Sequence, residues 1–162
     1  MPLTFLRNLG IVSAAGITTT KLGAGAVLQV VTATDTTNRT TSSSTFVTGS
    51  NTLSVSITPS SASNKIFIIT NLIGYLDNPT EAHFTIFRDA TNIGGSFGIA
   101  TIYTEPASAQ LTSPVSMSIL DSPNTTSATT YQVYVKVAGG GTVNFSAYSS
   151  GTATITAFEI KG

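Results

Sequence analysis

The chain has 162 residues, the length of one domain, and seven basic side chains offset seven acidic ones. Charged residues make up only 9%, against about 25% in an average globular protein, which excludes both the basic patch of a nucleic-acid binder and the charge-rich character of a solvated disordered tail. There is no cysteine, so disulfides, thiolate nucleophiles and Cys-based zinc sites are excluded too.

Ser and Thr supply 49 of the 162 residues. They suit strands and turns better than helix interiors, and they build a surface from hydroxyls instead of charges. Low net charge invites self-association, so an oligomer is expected.

Residues 1–25, "MPLTFLRNLGIVSAAGITTTKLGAG", are rich in small residues and lack clean periodicity. The stretch 6–16 imitates a signal peptide, with Arg7 ahead of a short apolar run, but Asn8, Gly10 and Ser13 interrupt it. It reads as an N-terminal attachment arm, with a hinge at Gly23–Gly25. No stretch reaches the ~18 apolar residues that span a bilayer, and no membrane insertion is expected.

From residue 26 onward, strand candidates alternate with polar joints. "AVLQVVTAT" (26–34) is a strand, "DTTNRTTSSS" a loop, and "TFVTG" (45–49) a short strand. "TLSVSIT" (52–58) alternates cleanly, with Leu53, Val55 and Ile57 on one face. After the turn "PSSASN" comes "KIFIITNLIGYL" (65–76). "AHFTIFRD" (82–89) and "GIATIYT" (98–104) follow, separated by a turn. The loop "EPASAQLTS" then leads to "PVSMSILD" (114–121), "SPNTTSAT" to "TYQVYVKV" (130–137), and "AGGG" to "TVNFSAY" (142–148). "TATITAFEI" closes the chain.

About ten short strands at this spacing, with no window of helical period, predict an all-β antiparallel sandwich over 26–162. The joints are too short for parallel crossovers, and the strand number with several long loops favours a jelly-roll over a meander barrel.

Residues 65–73 break the alternation. Ile66, Ile68 and Leu72 share one face, while Phe67, Ile69 and Ile73 share the other. A strand apolar on both faces needs cover on both. The second face is expected to meet another subunit; an overlying loop or the arm is the alternative.

Little in the inventory supports catalysis. His83 is the only histidine, on a strand face with Thr85 and Phe87. "GGSFG" (94–98) lacks the spacing of a nucleophile elbow and reads as a turn. Zinc lacks ligand partners, and the acidic loop of Asp77, Asn78 and Glu81 lacks the pattern of an EF-hand. "AGGGT" (138–142) precedes a strand and has no Lys-Ser/Thr pair, so it is no phosphate cradle. No enzyme activity, metal or cofactor is expected. Three Asn-X-Ser/Thr triplets, at 38, 124 and 144, arise readily by chance in so hydroxyl-rich a chain. The remaining lead is aromatic: Tyr75, Tyr103, Tyr134 and Tyr148, placed at strand ends, in loops or among polar neighbours, are candidates for contacting sugar or protein.

The stretches "TKLGAGAVLQVVTATDTT", "SSSTFVTGSNTLSVSITPSSASNKIFIIT", "IFRDATNIGG" and "VSMSILDSPNTTSATTYQVYVK" together resemble a Ser/Thr-rich domain of tailed-bacteriophage structural proteins, common among phages of aquatic bacteria including cyanobacteria. The resemblance spans roughly residues 21–160. It implies a homotrimeric β-sandwich head at the virion surface, joined by its arm to other virion proteins and touching a host glycan or protein. It brings no catalytic motif. So short a lead into the domain fits a short tail fibre or appendage, with a capsid decoration protein as the alternative and a secreted carbohydrate-binding module or adhesin as a further one.

Overall fold

A computed structural model describes residues 21–77, 81–104, 110–146 and 151–162. Its strands are β1 (Val27–Asp35), β2 (Asn38–Thr41), β3 (Ser54–Ile57), β4 (Lys65–Asp77), β5 (Glu81–Arg88), β6 (Thr91–Asn92), β7 (Ala100–Tyr103), β8 (Gln110–Asp121), β9 (Thr129–Ala138), β10 (Thr142–Ser146) and β11 (Ala153–Ile160). Every ladder is antiparallel. The protein is an all-β sandwich. Among the described residues, no helix is long and apolar enough to cross a membrane, which says nothing of strand-built spans.

The 13-residue β4 is the spine of the first sheet. β8 pairs along one of its edges over 66–77. The other edge is shared end to end by β11, over 65–71, and β10, over 73–77. β1 lies outside β11, and β2 outside β10. In the second sheet β5 lies between β9 on one edge and β6 with β7 on the other, and β3 lies outside β9. Successive strands mostly lie in opposite sheets. The hydroxyl-rich joints are therefore arches: 58–64 carries the chain from β3 to β4, and 122–128 from β8 to β9.

The core lies between the sheets. Ile66, Ile68, Leu72 and Leu76 of β4, with Val115, Met117, Phe145 and Ile155, meet Val55, Ile57, Phe84, Ile86, Tyr131, Val133 and Val135. These are the positions that period-2 alternation assigns to one face. Gly74 leaves room for the facing sheet: a Cβ there would stand 2.6 Å from the Ile102 side chain and 3.3 Å from the Phe84 ring.

Buried polar groups fasten the sandwich ends. Asp35, at the end of β1, accepts from the Thr37 and Thr52 amides and from Arg39 Nε at 3.0 Å. Burial alone would raise its pKa; the Arg39 bond and these amides outweigh that and hold it below the usual carboxylate value. Asp121 accepts from Arg88 Nη1 at 2.9 and 3.0 Å and from the Tyr131 hydroxyl at 2.7 Å, linking the first sheet to the second. Burial, then that bond, raises the Tyr131 phenol far above its ordinary pKa. Glu159, 1% exposed, lies across Ile66 of β4 from Asp121 and is buried under the 58–64 arch.

Several local expectations need correction. "NRTT", read as loop, is β2, an edge strand paired to β10. "TFVTG", read as a strand, keeps only an isolated bridge from Val47 to Val135. Gln110–Ser113, read as loop, begins β8, and Tyr75, placed at a strand end, lies inside β4. β4 and β8 are also far from short, at 13 and 12 residues. At the arm boundary, Gly25 N donates to Lys161 O and Lys161 N to Ala26 O, so the chain is tied to the terminal strand from residue 25.

Candidate functional site

The histidine is the first place to look for chemistry. His83 lies on the outward face of β5 yet is only 2% exposed, because segment 94–98 folds over it. Its Nε2 is 3.5 Å from Glu81 Oε1, and its Nδ1 is 3.1 Å from both Phe97 O and Thr101 Oγ1. Hydroxyl, imidazole and carboxylate thus stand in the sequence of a nucleophile, base and orienting group. The Nδ1 contact with Phe97 O ties the 94–98 segment to β5. Among the described residues no group of three or more His, Asp or Glu side chains could hold a metal ion.

The outward face of the first sheet is unusual in another way. Its strand positions are Val30, Thr32 and Thr34 of β1, Thr154, Thr156, Phe158 and Ile160 of β11, and Lys65 to Asp77 at every second residue of β4. Alternate residues Gln110 to Leu120 of β8, with Thr142 and Asn144 of β10 and Asn38 and Thr40 of β2, complete it. The only charges in this set are Lys65 and Asp77, at opposite ends of β4.

Register aligns Val30, Phe158, Phe67 and Leu120 in one row across four strands. The end members Val30 and Leu120 are 55% and 53% exposed. The Phe67 and Phe158 rings lie 6.3 Å apart. Ile69 and Ile73, the other expected interface residues, are half-buried on this same face, as is Tyr75.

Many polar side chains here bond sideways to one another. Thr32 Oγ1 lies 2.9 Å from Thr156 Oγ1, Ser116 Oγ donates to Asn71 Oδ1 at 2.7 Å, and Thr40 Oγ1 to Asn144 Oδ1 at 2.8 Å. Groups already paired lose less when water is removed.

The outward face of the second sheet carries a different pattern. Phe87 and Tyr134 stack with ring centroids 3.9 Å apart, and Phe46 meets Phe87 edge-on at 6.2 Å. Lys136 Nζ stands 4.7 Å from the Phe46 ring centre and 5.7 Å from that of Phe97, and donates to Ser96 O at 2.7 Å. Of the four tyrosines read from the sequence, Tyr134 joins this stripe. Tyr103 is exposed at the end of β7, Tyr75 lies on the other sheet, and Tyr148 falls outside the described residues. Phe46, Phe87 and Phe97 were missed. The signal for Phe97 was present, an aromatic ring within the Gly-rich "GGSFG".

Compared with known proteins, the chain matches no family model, and no curated protein matches it at a significant level.

Proposed function

We propose that this chain is a non-enzymatic structural protein of a tailed-bacteriophage particle, a short tail fibre or appendage at the virion surface. Residues 1–25 attach it to other virion proteins, the sandwich assembles as a homotrimer, and the exposed parts contact the host. One observation carries the assembly: the outward face of β1, β11, β4 and β8 is charge-free between Lys65 and Asp77, laterally hydrogen-bonded, and crossed by an exposed apolar row. Four strands at ~4.8 Å spacing and a spine of 13 residues at ~3.3 Å make a face of roughly 19 by 40 Å. That is about the ~800 Å² one partner contributes to a standard interface.

Two further features support the reading. The orders β1–β11–β4–β8 and β3–β9–β5–β7, with the chain crossing between sheets, support a jelly-roll arrangement of the sandwich. The hydroxyl-rich arches are fastened by local bonds such as Ser43 Oγ to Thr45 O at 2.7 Å, which spares them charge.

Native mass spectrometry of the full chain should give a trimer. Phe67→Asp, which puts a charge into the middle of the row, should give folded monomer. A wild-type monomer would overturn the assembly. Immunogold labelling of virions should mark the tail; labelling over the head surface would instead establish the decoration reading, and particles lacking the protein would refute both.

A further inference from the structure

The stripe on the second sheet has no part in that assembly. Phe97, 72% exposed, is the most exposed large hydrophobic among the described residues. Leaving a phenyl ring in water forgoes favourable burial, so an exposed ring that is also held rigid calls for a reason outside folding.

Phe97 is held rigid. Gly98 packs on the Phe84 backbone so closely that a Cβ would come 2.4 Å from Phe84 O, and its φ is +80°. The loop is further pinned by Asn92 Nδ2 on Gly95 O at 2.7 Å, Gly94 N on Asn92 Oδ1 at 3.0 Å, Ile99 N on Phe84 O at 2.7 Å and Lys136 on Ser96 O. The ring itself rests against His83, centroids 5.7 Å apart. Such preorganisation lowers the ordering cost of binding.

We propose that the outward face of the β5–β9 sheet binds an anionic saccharide chain. A pyranose presents an apolar C–H face and a rim of hydroxyls, and this surface alternates rings with polar groups in the same way. Phe97 and Phe46 offer ring surface on either side of Lys136, the Phe87–Tyr134 stack extends it, and Gln132 and Thr101 flank it with amide and hydroxyl. Charge decides the ligand class. The charged side chains at strand positions of this face are Lys136 and Glu81, and Glu81 turns to His83. The Lys136 ammonium spends one of its three donors on Ser96 O, leaving two for a carboxylate or sulfate oxygen. The inference rests on the host-contact reading only for where the sugar comes from.

Calorimetry on the full chain tests it with three probes: a polygalacturonate oligomer, dextran sulfate and neutral dextran. One or both anionic probes should bind and weaken as salt rises, and neutral dextran should bind at least tenfold more weakly. Which anionic probe wins tells carboxylate from sulfate. Phe97→Ala should lower affinity about tenfold or more, Lys136→Gln likewise, and Lys136→Arg should retain most of it, all with unchanged circular dichroism. Absence of binding by the wild-type chain, or equal binding by Phe97→Ala and Lys136→Gln, overturns the proposal. Loss with Phe97→Ala but not with Lys136→Gln overturns its anionic part. Sugar binding by a protein that virion labelling fails to detect would sink the phage reading alone.

Discussion

Replacing Glu159 should open one end of the sandwich. The side chain reaches in from the end of β11, and its Oε1 accepts from Ser60 N at 2.6 Å, Ser60 Oγ at 2.7 Å and Asn64 Nδ2 at 2.6 Å. Gln29 Nε2 approaches Oε2 at 3.4 Å. A hydrogen bond to a charged group contributes about 1.5–3 kcal/mol, and bonds sharing one oxygen do not add in full. In Glu159→Ala the Asn64 amide, only 3% exposed, also loses this acceptor. The expected loss is roughly 3–5 kcal/mol, a large part of the ~5–15 kcal/mol that holds a domain folded. At ~2–4 °C per kcal/mol for a chain of this size, Tm should fall by roughly 6–20 °C.

Glu159→Gln keeps an acceptor oxygen and should lose less than half as much. Burial would raise the Glu159 pKa, but the Asn64 and Ser60 bonds prevail and lower it below its ordinary 4.5. Its contribution is therefore whole above that pH and fades as pH falls through the folded value. Urea unfolding from pH 7 to pH 3 should show the gap between wild type and Glu159→Gln narrowing below pH 4.5. A Glu159→Ala chain within 1 kcal/mol of wild type would refute the reasoning.

Two substitutions test the packing in opposite directions. Gly98→Ala meets the Phe84 carbonyl at 2.4 Å in a left-handed backbone; it should cost about 2 kcal/mol or more and raise hydrogen exchange over 93–99, and a neutral effect would show that the loop is not pinned. Thr70 faces the core of β4 with its hydroxyl unpartnered, so Thr70→Val should hold or raise stability by about 1 kcal/mol in chemical denaturation; a loss above 1 kcal/mol would mean that the hydroxyl has a partner.

What could be read beforehand followed the strength of the pattern. Residues 52–58, 114–121 and 130–137 were legible because their apolar side chains recur at every second position, and Val55, Val115, Met117, Val133 and Val135 are indeed buried. β2 was not legible. "NRTT" has no apolar alternation, and it is a strand because β10 offers it an edge. The Glu159 clasp was hidden for the same kind of reason: a carboxylate on a face with Ile155 and Ala157 looks like an exposed end until the Ser60–Asn64 arch closes over it.

The sequence by itself determined the class of fold, the neutral hydroxyl surface and the two-sided apolar character of residues 65–73, because each is a matter of composition or of nearest-neighbour spacing. Only the tertiary structure decided which charges are buried and which aromatics meet. Phe46, Phe87, Phe97 and Tyr134 share one surface because segments distant in the chain lie side by side across β5 and β9. In a sandwich whose consecutive strands mostly lie in opposite sheets, neighbours in space are often distant in sequence, so no local pattern announces such a surface.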